Sequence, residues 1–240
     1  MTEPIRAAAR RLQQAAFLRR HRGKIRLGKE CRIPFGTFHL EANRVEIGDH
    51  VTLGERTVLK GDSFRFGDYF LAGNDVAITG QNARFETGKF CSIAGGTTVL
   101  LGQGNHRIQS LSPYPLRHLS ALASAEWTRH FDFQTESKST CRLGHDVWVG
   151  TGSILLPNIT LETGAVVSAG SVVTRDVPPY AIVGGNPAQI ISFRFKPGLV
   201  RELLELQWWD WPEEKILRNG VLFTKNLTTQ PTLAGVPISE

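Results

Sequence analysis

LGHDVW VGTGSI LLPNIT LETGAV VSAGSV VTRDVP, residues 143–178, repeats every six residues without a slip. An aliphatic residue opens each unit (Leu143, Val149, Leu155, Leu161, Val167, Val173), and a small or β-branched residue stands in fifth place (Val147, Ser153, Ile159, Ala165, Ser171, Val177). A period of six does not match the 3.6 of a helix face. It reads as a stacked solenoid in which each hexapeptide makes one flat strand and a corner, and three close a triangular coil. The opening residue points inward and stacks on its counterpart one coil away. The fifth residue sits near a corner where a small side chain fits. Gly and Asn at the corners accept the positive φ of tight turns. One coil cannot bury its own apolar face, so several must stack, about 4.8 Å apart.

The same ruler runs outward toward the N-terminus. Ile47 opens IGDHVT, LGERTV and LKGDSF. After a one-residue slip at Arg65, Phe66 opens FGDYFL, AGNDVA and ITGQNA, and Thr87 opens TGKFCS, IAGGTT and VLLGQG. LGKECR and IPFGTF, residues 27–38, also obey it, for roughly six coils in all. Cys31 and Cys91 fall in fifth place and are expected to be core filler. The fold class is therefore all-β, a parallel β-helix.

Three segments break the ruler. Residues 4–21 read as a helix with Ile5, Ala8, Ala9, Leu12, Ala15 and Ala16 on one stripe. Residues 105–142 form a long excursion between regular coils. Residues 197–218 read as helical, with Pro197 and Pro212 suited to first turns. The expected organisation is a basic helical arm (1–26), the β-helix (27–191, with 105–142 inserted) and a C-terminal helical segment and tail (192–240).

Of the 240 residues, 28 are Lys or Arg and 22 are Asp or Glu. Residues 1–30 alone carry +7, and the remainder sums to −1. A basic arm with no reading motif elsewhere is not a nucleic-acid-binding domain, so no nucleic-acid partner is expected. Two roles fit the arm: a cap on the open end of the solenoid, or contact of residues 4–21 with an anionic membrane surface. Three scattered cysteines exclude a disulfide scaffold. With no apolar run of about 18 residues and no signal-peptide stretch, the expected location is cytoplasmic.

A regular wall carries chemistry where it becomes irregular. The excursion opens with GNHR, residues 104–107, so His106 stands where the chain leaves the coil. Excursions of this length favour binding or covering roles over linkage. Imidazole titrates near neutrality, which suits a general base. A zinc centre is not expected, because His106 and His145 have no third histidine within a few residues, and His145 occupies an outward, surface-type place. A β-helix that only mediates assembly is the rival of another class.

TGKFCSIAGGTTVLLGQGNH, residues 87–106, is followed by Pro-Tyr-Pro at 113–115. DVWVGTGSILLPNITLETGAVVSAGSVVTRDVPPYAIVGGNPAQII spans 146–191, and WWDWPEEKI spans 208–216. Together these resemble hexapeptide-repeat acyltransferases, in the branch with xenobiotic (streptogramin and chloramphenicol) and saccharide O-acetyltransferases. The resemblance covers about residues 45–218. It implies a left-handed β-helix, acetyl-CoA as co-substrate, and a homotrimer with sites between subunits. It further implies His106 as the base that takes a proton from an acceptor hydroxyl. Carried over by position, Thr151, Ala169, Thr174 and Arg175 would line the pantetheine groove. Where relatives often place basic residues after the Asn-Pro-Ala turn, this chain has Gln189 and Ser192, so Arg194 or Lys196 is expected to hold the 3′-phosphate. Asn105, Tyr114 and Trp127 are the candidate acceptor contacts. Clean repeats from Ile47 onward favour a saccharide or polysaccharide hydroxyl as acceptor, with a xenobiotic hydroxyl as the alternative.

Overall fold

A computed structural model describes residues 3–102, 111, 112, 114, 139–236, 238 and 239, with the backbone alone at 3–8, 10 and 11. Helix α1 (Glu3–Arg20) leads into three walls, each six-stranded among the described residues. The first wall is β1 (Ile25–Leu27), β3 (Arg44–Ile47), β5 (Ser63–Phe66), β8 (Arg84–Thr87), β11 (Thr140–Leu143) and β14 (Thr160–Leu161). The second is β2 (His39–Glu41), β4 (Val58–Lys60), β7 (Ala77–Thr79), β10 (Thr98–Leu100), β13 (Ile154–Leu155) and β16 (Val172–Val173). The third is β6 (Leu71–Ala72), β9 (Ser92–Ile93), β12 (Trp148–Val149), β15 (Val166–Val167), β17 (Ala181–Gly185) and β18 (Ala188–Phe193). The chain visits the walls in turn, so neighbouring strands in each, apart from the final β17–β18 pair, are one coil apart and parallel.

The register is the one the period demands. Leu143 pairs with Leu161, Val149 with Val167 and Leu155 with Val173, each 18 residues on. Every first- and fifth-place residue of 143–178 is buried. Cys91 is buried as expected and Cys31 only half-buried, its thiol 3.2 Å from the Gly48 carbonyl.

Earlier coils are longer than a strict ruler allows. Ile47 pairs with Phe66 at 19 residues. Arg65 pairs with Glu86 at 21. The inward residues are Phe38, Phe64 and Ala83, whereas the ruler puts Thr37, Ser63 and Asn82 there; Thr37 and Asn82 are exposed and Ser63 half-buried. Corners absorb the extra residues while the strands keep their pairing. The excursion also ends sooner than expected. Thr140–Leu143 is strand β11, in register with β8, and Cys141 is fully buried.

Both ends are closed. Phe17 of α1 packs its ring 5.1 Å from Phe35 and 5.4 Å from Phe38, which covers the first coil. At the other end β18 turns back antiparallel on β17, so no further parallel coil can add there. Helices α2 (Pro197–Leu206), α3 (Glu213–Arg218) and α4 (Gly220–Thr224) follow, with a 3₁₀ turn at Trp208–Asp210. No helix among the described residues is long and apolar enough to cross a membrane.

Candidate functional site

Three edges run along the solenoid, and each carries different chemistry. The second-to-first-wall edge carries the root of the excursion. The Leu101 N–H donates to the Thr79 carbonyl at 2.7 Å, holding the last residues before the chain departs. The Arg84 N–H donates to the Ser139 carbonyl at 2.8 Å, so the chain re-enters on the adjoining coil. Gly102, at φ +77°, stands against the buried Ser139 hydroxyl, which has no hydrogen-bond partner among the described residues. His106 follows four residues later. His106, Asn105 and Trp127 lie outside the described residues. Tyr114 is exposed, its backbone N–H donating to the Ser112 hydroxyl at 3.1 Å.

Thr174 and Arg175 project from this same edge, two coils beyond the root. The ladder between them is continuous. The Thr140 N–H donates to Asn158 Oδ1 at 3.2 Å and the Thr160 N–H to Asp176 Oδ1 at 2.7 Å. Arg175 is exposed and makes no ion pair among the described residues.

Thr151 and Ala169 stand on the third-to-second-wall edge, one coil apart. The Thr151 hydroxyl donates to the Gly95 carbonyl at 2.7 Å. Beside them Gly152 and Gly170 take positive φ, with open space where a Cβ would sit. The structure therefore does not gather the expected cofactor residues on one surface of one chain. They form two exposed stripes on separate edges.

Arg194 is on the remaining edge and is already engaged. Its Nη1 donates to Asp146 Oδ2 at 2.8 Å and to the Gly164 carbonyl at 2.9 Å, and its guanidinium lies 5.2 Å from the centre of the Tyr180 ring. The cation expected to hold a phosphate after the Asn-Pro-Ala turn is thus paired within the chain. Arg194 ties the last coils to the start of the C-terminal segment, and exposed Lys196 is the nearby cation without an ion pair among the described residues.

The first-to-third-wall edge holds a feature that sequence reasoning missed. His50, Tyr69 and Phe90 occupy equivalent corner places with φ of 57°, 57° and 61°. His50 stacks on Tyr69 at 4.8 Å and Tyr69 on Phe90 at 4.6 Å, both within 4° of parallel. Left-handed backbone costs a non-glycine residue about 1–2 kcal/mol, and ring stacking offsets part of that. Trp208 continues the column at 4.8 Å from Phe90, while buried Trp209 stacks on His145 at 4.9 Å. Lys89 pairs with Asp210 at 2.9 Å, and the Tyr69 hydroxyl meets Glu213. Trp208 and Trp209 are thus packing anchors, and the C-terminal segment lies back along this edge. The visible signal was an aromatic residue in fourth place of three successive coils: IGDH, FGDY, TGKF.

His145 is not the surface residue its outward place suggested. It is half-buried under Trp209, and its Nδ1 accepts from the Lys89 N–H at 3.1 Å. Burial lowers its pKa, Asp210 opposes that, and Lys89 adds to it. Burial pushes the thiols of Cys91 and Cys141 up to about 12, so neither is a nucleophile at neutral pH. Among the described residues no group of three or more His, Cys, Asp or Glu side chains could hold a metal ion.

No family model matches the chain. Curated relatives do. It is 38% identical over 134 residues to a chloramphenicol acetyltransferase of Agrobacterium fabrum, covering 55% of this chain and 63% of that protein. It is 34% identical over 139 residues to a probable macrolide acetyltransferase of Lysinibacillus sphaericus, covering 57% of this chain and 75% of that protein. The chain belongs to the hexapeptide-repeat acetyltransferase family. It spans less than two thirds of the length of the chloramphenicol acetyltransferases it matches. Among solved structures, a mutant of AntD, an N-acyltransferase from Bacillus cereus in complex with dTDP and coenzyme A, shares the fold. Its TM-score is 0.56 at 20% identity, over 87% of this chain and 96% of that one.

Proposed function

We propose that the chain is an acetyl-CoA-dependent O-acetyltransferase in which His106 is the general base. The observation that carries this reading is the interrupted coil. Coils in strict register hold Gly102 and Ser139 on one edge, so the excursion bearing His106 springs from a rigid frame. Rigid support of a base favours catalysis through positioning as well as proton transfer. His106 would accept the proton of an acceptor hydroxyl as that oxygen attacks the thioester carbonyl, and would return it to the departing sulfur as the C–S bond breaks, releasing free thiol. A backbone N–H would stabilise the oxyanion.

The exposed stripes fit the co-substrate chemically. Arg175 offers a phosphate an exposed cation that is in no ion pair among the described residues. Thr151 and Ala169, flanked by glycines with open space above them, offer a small-residue surface for a pantetheine arm. Two edges of one solenoid face apart, so a groove using both stripes needs two chains side by side. That supports the expected homotrimer with sites between subunits.

Two acceptor readings follow from different observations. The stacked coils that run on from Ile47 to the excursion support a saccharide or polysaccharide hydroxyl, with Tyr114 exposed for stacking. The antibiotic acetyltransferases among the relatives support a xenobiotic hydroxyl at least as strongly. Thiol release from acetyl-CoA against chloramphenicol, a macrolide, a streptogramin, free sugars and nucleotide sugars separates them. Turnover with one class assigns the acceptor. Silence with every acceptor, together with no acetyl-CoA binding by calorimetry, would leave a non-catalytic scaffold as the better account.

A further inference from the structure

The apolar stripe that the sequence places on α1 is not the side that meets the solenoid. Phe17 packs on Phe35 and Phe38, and the Gln13 side chain lies over Gly36. By helical spacing Ala9, Leu12, Ala15 and Ala16 project the other way, and all four are exposed, Leu12 at 72%. A single exposed leucine is ordinary. This one belongs to a stripe that ends among cations.

Residues 12–32 hold seven Lys or Arg and one acid, Glu30. Arg19, Arg20, Arg22 and Lys24 stand at the end of the helix and in the turn after it. Arg26 projects from β1 on the first wall, Lys29 from the corner that follows, and Arg32 from the third wall, where it bridges to Thr52. All seven are exposed and in no ion pair among the described residues. Glu30 lies against His50 at 3.3 Å. The cations act on their surroundings: burial, then Arg20 and Lys24, lowers the pKa of His21. A nucleic-acid surface would add rings on which bases stack. Phe17, the one Phe, Tyr or Trp of residues 12–32, is turned onto the solenoid instead. Cations spread over one end of the solenoid, beside a narrow apolar stripe, suit a flat anionic surface.

We propose that α1 and the first coil dock on an anionic lipid bilayer. Arg19, Arg20, Arg22 and Lys24 meet headgroup phosphates, Arg26, Lys29 and Arg32 add to the field, and Leu12 with its alanine neighbours settles at headgroup level. With one long apolar side chain in the described stripe, the contact is mainly electrostatic and reversible. The coil of Arg175 lies five strand spacings away, about 24 Å, so docking leaves the Arg175 stripe open. The inference does not depend on acyl transfer.

Flotation of the full chain tests it, with vesicles of phosphatidylcholine alone and with about 30% phosphatidylglycerol, in about 0.1 M salt. Saturable binding to the anionic vesicles is expected, at least about tenfold weaker to phosphatidylcholine alone and at least about tenfold weaker in about 0.5 M salt. Each cation near the surface is worth about fivefold, so Arg20→Gln, Arg22→Gln and Lys24→Gln together should weaken binding about 10²-fold. Leu12→Ser should weaken it about threefold. Arg218→Gln, at an exposed cation of the C-terminal segment, should leave it unchanged. If circular dichroism shows the triple variant unfolded, Arg22→Gln, Lys29→Gln and Arg32→Gln together serve in its place. No saturable binding to the anionic vesicles would overturn the proposal, as would equal binding to both vesicles or undiminished binding by the folded triple variant. Release from the vesicles by duplex DNA at equal phosphate concentration would overturn it in favour of a nucleic acid.

Discussion

Replacing Gly54 by alanine tests how tightly the coils are stacked. An ideal Cβ at Gly54 would lie 2.2 Å from both the carbonyl carbon and the oxygen of Gly73 in the next coil. These are backbone atoms, so no side chain can swing aside. Reaching an ordinary contact of 3.4 Å requires the two corners to separate by about 1.2 Å. The backbone bonds that bracket this point are Ala72 N–H to Thr52 O at 2.8 Å and Asp75 N–H to Glu55 O at 2.9 Å. Both would stretch to about 4 Å, beyond hydrogen-bond length. Losing two such bonds costs about 1–3 kcal/mol. The loss of unfolded-chain freedom on Gly→Ala returns about 0.4–1 kcal/mol. A net destabilisation of about 1–2 kcal/mol is expected by urea denaturation. Hydrogen exchange should rise first at the amides of Ala72 and Asp75. Gly220→Ala is the control, because nothing lies within 4 Å of its Cβ. Gly54→Ala as stable as wild type, within about 0.5 kcal/mol, would refute close stacking at this corner.

His145 has its pKa lowered by burial, so the unfolded chain binds its proton more readily than the folded one. Its contribution is complete above the ordinary histidine value and is lost as pH falls through that value toward the lowered one. The thermal midpoint of wild type should therefore drop between pH 8 and 5 by more than that of His145→Gln; equal drops would refute the assignment. Arg194→Gln should cost about 1–3 kcal/mol by breaking the Asp146 and Gly164 bonds, with little effect on the KM for acetyl-CoA. Arg175→Ala should raise that KM and leave the thermal midpoint unchanged. The reverse pattern would make Arg194 the phosphate-binding residue after all.

The solenoid was legible because burial repeats with its period: Leu143, Leu155 and Leu161 each meet a partner 18 residues on or before, and nothing between them disturbs the count. Where a coil takes 19 or 21 residues, the ruler slips to the neighbour, and Ser63 is read inward in place of Phe64. Pairing is fixed by the strands, whereas corners tolerate insertions that a fixed period cannot see. The edge column was missed for another reason. His50, Tyr69 and Phe90 sit in outward places, and only their left-handed backbone turns the rings parallel. Arg194 was visible as a cation near the last turn, but its partner Asp146 lies 48 residues earlier, a pairing that no local pattern displays. The stripes at Thr151 and Arg175 came from resemblance, and the three-walled topology puts them on separate edges.

The most direct test of the proposed activity is thiol release from acetyl-CoA by wild type and His106→Ala, in the presence of whichever acceptor class supports turnover, with folding of the variant checked by circular dichroism. The account predicts a loss of at least about 10²-fold in kcat in the folded variant, with acetyl-CoA binding retained. Turnover by folded His106→Ala within a few-fold of wild type would contradict it.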